Sequence, residues 1–198
     1  MGKKKRPTQR GIIPAANHLT AADLDEVLPK QLDLVFATVR DPMSRLKSEY
    51  RYQFGASRIG RLGFSSWLHL VTSCMKIDRR MYDNHIRPQT ELVPECAEFF
   101  RLEEGLDPIV DLLDKVLGES APDITIEHLL KREPRPIHVT RSDAALIASI
   151  FAADYQRFGY KTPDEDGLPN DPYAGLRALL AKLVAPLIVF KHRLDWLR

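Results

Sequence analysis

Alternating apolar and polar stretches along the chain predict several helices and two short strands. Residues 32–39 are nearly all apolar and end in β-branched residues, which favours a buried parallel strand. Asp41 and Pro42 follow directly and are typical of the N-cap and first residue of a helix, which we expect to continue to about Tyr52. Residues 99–102 predict the second strand. A strand that passes straight into a capped helix is the basic unit of an α/β fold.

Apolar residues at helical spacing predict further helices, each bounded by capping residues, glycine or proline. The earliest begins at Thr20–Asp23, which has the form of a capping box, and we expect it to turn Leu24, Val27 and Leu28 inward. The others are expected after the Ser65–Ser66 cap, from Asp107 to Gly118, and from Asp143 to Phe158 before Gly159.

Charge and turn-forming residues divide the chain into four parts. Residues 1–10 form a basic tail that we expect to be disordered, and residues 11–160 form the α/β domain. Residues 161–172, rich in Pro, Asp and Gly, predict a linker. Residues 173–198 predict an amphipathic helix that is interrupted or kinked at Pro186.

The C-terminal helix has an apolar stripe that needs a partner. We expect it to pack on its own domain or on a second subunit, as in a homodimer, with peripheral contact to a membrane surface as the alternative. The stripe consists of Leu176, Leu179, Leu180, Leu183, Leu187 and Leu194.

The overall charge argues against a nucleic-acid-binding protein. The chain has 29 Lys and Arg against 27 Asp and Glu, a net charge of +2, and five of the basic residues lie within residues 1–10. The remainder is therefore slightly acidic. The longest apolar run, residues 183–190, is far shorter than the roughly 20 residues of a membrane span. These features predict a cytoplasmic protein without a membrane span.

Arg40 and Ser48 are the first candidates for chemistry. Arg40 follows the predicted strand, at the end where open α/β sheets bind ligands, and Ser48 lies near the second turn of the next helix. An arginine fork and a hydroxyl that converge on one point suit a phosphate. From these residues alone, a surface arginine and an ordinary helix serine remain the alternative.

The segment from Val39 to Tyr50, which reads V-R-D-P-x-x-R-x-x-S-x-Y, resembles the 3′-phosphate-binding segment of sulfotransferases. These enzymes use 3′-phosphoadenosine 5′-phosphosulfate (PAPS), and the resemblance is strongest to the carbohydrate type. It implies a helix-rich three-layer fold, like that of P-loop NTPases, with a central parallel sheet. Further segments that resemble the family follow in order at residues 17–20, 83–89, 100–103 and 154–160.

The resemblance also implies roles for single residues. Arg40 and Ser48 would hold the 3′-phosphate of PAPS, while Arg45 would brace the turn. His18 would be the general base, although a histidine that only flanks a helix, or a carboxylate base elsewhere, remains open.

His85, Arg87 and Gln89 would bind the acceptor or shape the nucleotide pocket, with an exposed loop as the alternative. Lys131 and Arg132 are further candidates near the nucleotide. The histidines show no H-E-x-x-H or comparable spacing, so we predict no metal.

One expected element of the family is missing. The loop for the 5′-phosphosulfate should lie upstream of His18, and residues 1–17 contain nothing similar. We therefore expect a fold without its first βα unit, either because Met1 is an internal start or because the site is degenerate.

The resulting hypothesis is a sulfotransferase that moves a sulfuryl group from PAPS to a hydroxyl of a carbohydrate acceptor, with the 198-residue chain poorly active or inactive. The alternative is a non-catalytic binding protein on a degenerate scaffold of this family.

Overall fold

The structure is a computed structural model that describes residues 18–29, 31–56, 62–118 and 136–196. The predicted basic tail at residues 1–10 lies outside these ranges, as do Lys131 and Arg132. Within the described ranges the chain forms seven α-helices and two strands: α1 (Ala21–Val27), β1 (Phe36–Val39), α2 (Pro42–Ala56), α3 (Phe64–Ile77), β2 (Glu98–Arg101), α4 (Asp107–Leu117), α5 (Arg141–Ile150), α6 (Ala152–Phe158) and α7 (Ala174–Trp196).

The two strands form a small parallel sheet in a helix-rich chain, in agreement with an α/β fold class. Phe36 pairs with Glu98 and Val39 with Arg101, so the carboxyl ends of both strands lie side by side. β1 covers only the second half of the predicted strand at residues 32–39. Leu32 is 45% exposed, and the ladder with β2 begins where the Val35 carbonyl accepts the N–H of Glu98 at 2.9 Å. Residues 32–34 therefore lack a partner strand among the described residues.

The main core forms where α2, α3 and α5 meet. Trp67 of α3 is fully buried at its centre, and its indole N–H donates to the Gln53 side-chain oxygen at 2.8 Å. This bond satisfies the one polar group that the indole carries into the core. Leu46 of α2 and Ile147 of α5 pack around it, so α2 is fixed to the helices on one side and follows β1 directly on the other.

The structure corrects several helix boundaries. Gly63, and not the Ser65–Ser66 pair, is the N-cap of α3, because the Ser65 hydroxyl donates to Asp143 at 2.7 Å instead. The single helix expected from Asp143 to Phe158 is two helices, α5 and α6, separated at Phe151 with φ −104° and ψ 22°. Phe151 is itself fully buried, so tertiary packing has overridden the continuous helical pattern.

The capping box of Thr20 and Asp23 at the start of α1 is confirmed, but the predicted inward face of that helix is wrong. Val27 is 65% exposed and Leu28 is 38% exposed. Leu24 is half-buried. The capping box stabilises this seven-residue helix, so the helix forms although none of its apolar side chains is fully buried.

Helix α7 is confirmed, but its contact with its own domain uses a different face from the predicted leucine stripe. Its small residues Ala181 and Ala185, with Val189 one turn further, are buried against Leu70 and Cys74 of α3. The predicted leucine stripe points away and is exposed. Small side chains allow the two helix axes to approach closely, which explains why the alanine face, and not the leucine stripe, contacts α3. Among the described residues, no helix is long and apolar enough to cross a bilayer.

Gly159 ends α6 in the left-handed conformation, with φ 68°. A Cβ there would lie 2.6 Å from a guanidinium nitrogen of Arg101, which donates to the carbonyls of Phe158 and Gly159. Gly118 ends α4 with φ 70° and nothing within 4 Å.

We expect Gly118→Ala to lower the free energy of unfolding by about 1 kcal/mol, the strain of the left-handed backbone. Gly159→Ala should lose roughly 1–2 kcal/mol more, because the added methyl displaces hydrogen-bonded Arg101. Urea unfolding of the two variants measures the difference. Equal losses would show that the close approach of Arg101 contributes nothing.

Candidate functional site

The carboxyl end of β1 is held by the side chain of Gln89. The backbone N–H of Arg40 donates to Gln89 Oε1 at 2.9 Å, and Gln89 Nε2 donates to the Arg40 carbonyl at 2.8 Å. Both polar atoms of the Gln89 amide thus bind the backbone of one residue. They replace the N–H and C=O groups that a neighbouring strand would offer at this position. The position of Arg40 is therefore set by Gln89.

Gln89 is held in turn by a buried carboxylate on α6. Asp154 is fully buried, and its two oxygens accept the backbone N–H groups of Gln89 and Thr90, each at 2.8 Å. Arg157, one turn later, donates to the carbonyls of Val93 and Pro94, each at 2.7 Å. Helix α6 therefore fixes the whole loop that carries Gln89.

The start of α2 is fixed on the other side of Arg40. The Asp41 carboxylate accepts the N–H of Ser44 at 2.8 Å, which confirms Asp41 as the capping residue of the helix. The N–H of Asp41 donates to Glu103 at 2.9 Å. Burial alone would raise the pKa of Glu103, but the bonds from Asp41 and Tyr160 and the charge of Arg40 lower it overall.

Arg40 and Ser48 keep the positions that the sequence predicts, at a strand end and within the following helix. Arg40 is half-buried, and its guanidinium makes no hydrogen bond to any residue that the structure describes. Ser48 is exposed on α2, roughly 9 Å along the helix axis from Pro42. One βα unit therefore carries both the half-buried arginine and the exposed hydroxyl.

His18 and His85 meet although 67 positions separate them. Their ring centroids lie 4.5 Å apart in an edge-to-face arrangement, and His18 Nδ1 lies 2.5 Å from a carboxylate oxygen of Asp83. The side-chain amide of Asn84 donates to the His18 carbonyl at 2.7 Å. One loop therefore fixes both the backbone and the ring of His18.

That loop adopts an unusual backbone. Tyr82, Asp83 and Asn84 all have positive φ, at 55°, 53° and 65°, although none is glycine. The left-handed conformation costs about 1–2 kcal/mol for each residue with a side chain. Three successive residues of this kind indicate a turn whose shape is imposed by its surroundings. The shape places Asp83 against His18.

His85 faces α2 as well as His18. Its Nδ1 lies 3.0 Å from the carboxylate of Glu49, and Tyr52 stacks on its ring with centroids 6.0 Å apart. The hydrogen bond to Glu49 raises the pKa of His85 against the opposing effect of burial. Burial alone would raise the pKa of Glu49, but the hydrogen bonds from His85 and Gln53 lower it overall.

Arg45 and Arg87 complete this loop. Arg45 donates to the carbonyls of Arg87 at 2.7 Å and His85 at 2.9 Å, in agreement with the bracing role expected for it. Arg87 pairs with Glu91 at 3.4 Å and has only 12% of its side chain exposed. Burial lowers the pKa of Arg87, and the nearby charges of Arg79 and Arg80 lower it further.

Two groups of candidate residues thus converge on the two ends of one loop, residues 81–91. His18 and His85 lie at its beginning, and Arg40 lies at its end, joined through Gln89. Gln89 was expected to bind the acceptor or to shape the nucleotide pocket. Its amide binds the backbone of Arg40, so it positions a candidate ligand-binding residue.

His18, Asp83 and His85 are the described residues whose arrangement could hold a metal ion. One ligand atom from each lies within 4.8 Å of the other two. Sequence spacing predicted no metal, but spacing could not reveal a group assembled from residues 65 positions apart. Both Nδ1 atoms already contact carboxylates, so an ion bound by all three residues would replace the contact between His18 Nδ1 and Asp83.

Three residues that shape the site were not among the candidates predicted from the sequence: Glu49, Asp83 and Asp154. Asp83 and Asp154 lie within segments that carry the family resemblance, yet the motif letters alone did not say what they contact. Glu49 directly follows Ser48, and only its contact with His85 reveals its part in the site.

A cavity of about 420 Å³ lies at the opposite end of the sheet. Helix α1 and residues before or at the start of each strand, including Val35 and Glu98, line it. It contains none of the predicted site residues, so we do not assign it to their chemistry.

Comparisons with known proteins add no assignment: no family model, no curated protein and no solved structure matches this chain.

The contact between Glu49 and His85 predicts the titration of His85. In Glu49→Gln the bond that raises the pKa is weakened and burial remains, so the pKa of His85 should fall below that of the wild type. Proton NMR titration of the histidine ring measures this directly. Glu104→Gln, which alters an exposed partner of Arg101, is the matched control and should leave His85 unchanged. An unchanged pKa of His85 in Glu49→Gln would contradict the conclusion that the bond to Glu49 raises it.

Proposed function

We propose that this protein is a sulfotransferase that transfers a sulfuryl group from PAPS to a hydroxyl of a carbohydrate acceptor. The observation that carries the proposal is the setting of Arg40. It follows the carboxyl end of a parallel strand, Gln89 clamps its backbone on both sides, and α2 with Ser48 begins immediately after it. The proposal includes a three-layer fold like that of P-loop NTPases, in which β1 and β2 are two of the central strands.

The donor half of the site would use Arg40 and Ser48. A guanidinium without a hydrogen bond to the described residues offers two parallel N–H donors to the 3′-phosphate, and the Ser48 hydroxyl offers a third. The nearby carboxylate of Glu103 balances the charge of Arg40 until the phosphate binds. These residues fit the 3′-phosphate of a nucleotide and carry no information about the rest of the donor.

The acceptor half would use His18 with Asp83. A carboxylate that holds Nδ1 fixes the tautomer and the ring orientation, so Nε2 is the nitrogen that takes a proton. His85 packs edge-to-face against the same ring and restricts its rotation. Arg87 pairs with Glu91 and has only 12% of its side chain exposed, so it would shape the acceptor side of this loop.

The donor supplies an activated sulfuryl group whose sulfur the acceptor oxygen attacks while the S–O bond to the 5′-phosphate breaks. The proton of the acceptor hydroxyl goes to His18, and adenosine 3′,5′-bisphosphate leaves with the electron pair of the broken bond. Arg40 and Ser48 hold the nucleotide in place, so that most of the rate enhancement would come from positioning and from removal of the hydroxyl proton.

Calorimetric titration with adenosine 3′,5′-bisphosphate tests the donor half. We expect Arg40→Ala to weaken binding at least about tenfold, or ~1.4 kcal/mol, and Ser48→Ala to weaken it by a similar factor. Arg141→Ala removes an equal charge from an exposed position on α5 and should have no effect. No binding by the wild-type chain, or equal binding by Arg40→Ala, would contradict the proposal.

Sulfate transfer to a panel of unsulfated polysaccharides tests the acceptor half. If the wild-type chain retains measurable transfer, His18→Asn should lower kcat by about 10²–10⁴-fold and leave bisphosphate binding unchanged, since it removes only the base. His138→Asn, an exposed histidine outside the site, is the control. Full activity of His18→Asn would exclude His18 as the base. Nucleotide binding without any transfer by the wild type is the result expected if the missing 5′-phosphosulfate loop inactivates these 198 residues, and it would fit a non-catalytic binding protein on the same scaffold equally well.

A further inference from the structure

Helix α7 and the residue before it present a continuous row of large apolar side chains to solvent. We call this row the α7 seam, and each member is between 42% and 70% exposed. Its members are Tyr173, Leu176, Leu180, Leu183, Leu187, Phe190 and Leu194.

The spacing of the α7 seam is that of a coiled coil. Successive members are separated by three and four residues in strict alternation over all seven positions. This is the heptad pattern in which a and d positions of one helix fit between those of a partner helix. Tyr173 begins the pattern as an a position, and the d positions are Leu176, Leu183 and Phe190.

The side chains of the α7 seam do not take part in the described core of their own domain. Ala181, Ala185 and Val189, on the opposite side of α7, make the contact with α3. The helix therefore has two apolar faces, one covered by α3 and one exposed among the residues that the structure describes. A helix that is apolar on both faces normally has a partner on each.

The exposed area is sufficient for a stable dimer. At these exposed fractions each seam side chain presents on the order of 100 Å², so the seven present roughly 700 Å². Standard protein–protein interfaces bury about 800 Å² on each partner. Apolar patches beyond a few hundred Å² are also rare on monomers.

We propose that the α7 seam binds the same seam of a second copy of this chain, as a parallel two-helix contact. A second copy offers an identical row of the same length, which a self-complementary twofold interface requires. In the dimer, each α7 would lie between its own α3 and the partner's α7.

The flanking residues determine the parallel orientation. Leu179 (a g position) and Val184 (an e position) flank the seam, and both are exposed. In a parallel pair, g of one helix meets e of the next heptad on the other, so these two apolar side chains meet. In an antiparallel pair centred on the seam, Lys191 would meet Arg177, whose guanidinium is already paired with Asp171 at 2.8 Å, so these e positions would offer no apolar contact.

A membrane surface is the competing occupant of this face. A helix that lies in a lipid interface has a broad apolar face and needs no fixed three-and-four spacing. The regular seam of α7, with an apolar pair at the matching flanks, favours a helix as the partner.

Light scattering coupled to size-exclusion chromatography tests the proposal on the full chain. We expect a molar mass about twice the 22.6 kDa of one chain. Leu187→Lys should return the protein to one chain with unchanged circular dichroism, because the seam cannot bury two charges without partners. Leu117→Lys is the matched control, since Leu117 on α4 is also 70% exposed, and it should remain a dimer.

Disulfide crosslinking tests the orientation and does not depend on the lysine variants. In a Cys96→Ser background, Leu176→Cys lies near one end of the seam, and a parallel pair brings the two thiols together, so oxidation should link two chains. An antiparallel pair would separate them.

A monomeric wild type across the micromolar range, or a dimer that survives Leu187→Lys, would overturn the proposal. A monomer that binds anionic phospholipid vesicles, and loses this binding in Leu187→Lys, would assign the seam to a membrane surface and also overturn it. Absence of crosslinking by Leu176→Cys in a confirmed dimer would overturn the parallel arrangement.

Discussion

The carboxylate of Asp154 lies fully buried in α6, and the geometry of the candidate site depends on the two N–H groups that it accepts. A buried charge is tolerated only when it is well hydrogen-bonded, so these bonds fix Gln89 and Thr90 firmly. Gln89 then clamps the backbone of Arg40 at the end of β1. A residue on one helix therefore determines where an arginine at the sheet edge can lie, without contacting that arginine.

Helix α2 connects the two halves of the site. Arg45 and Glu49 point to the loop that carries His85, whereas Ser48 is exposed beside them. Because α2 begins directly after Arg40 and is packed into the core through Leu46, the distance between the two halves is fixed by one rigid element. The proposed sulfuryl transfer would require a donor and an acceptor held at a fixed separation, which such an element would provide.

Local signals along the sequence were sufficient for part of this structure. Capping at Thr20 and Asp41, the glycine end of α6 and the strand at β2 depend on neighbouring residues and were predictable. The contact of His18 with Asp83 spans 65 positions and depends on a left-handed turn of non-glycine residues, which no local rule predicts. The face by which α7 packs was also not predictable, since its alanines fit α3 more closely than its leucines would.

The central claim is that Arg40 recognises a 3′-phosphate, and a comparison of two nucleotides tests it most directly. Adenosine 3′,5′-bisphosphate and adenosine 5′-monophosphate differ only in that phosphate. Calorimetry on the wild type and Arg40→Ala completes a thermodynamic cycle. The account predicts that the wild type prefers the bisphosphate by at least about tenfold and that Arg40→Ala loses this preference. The same preference in both proteins would contradict it.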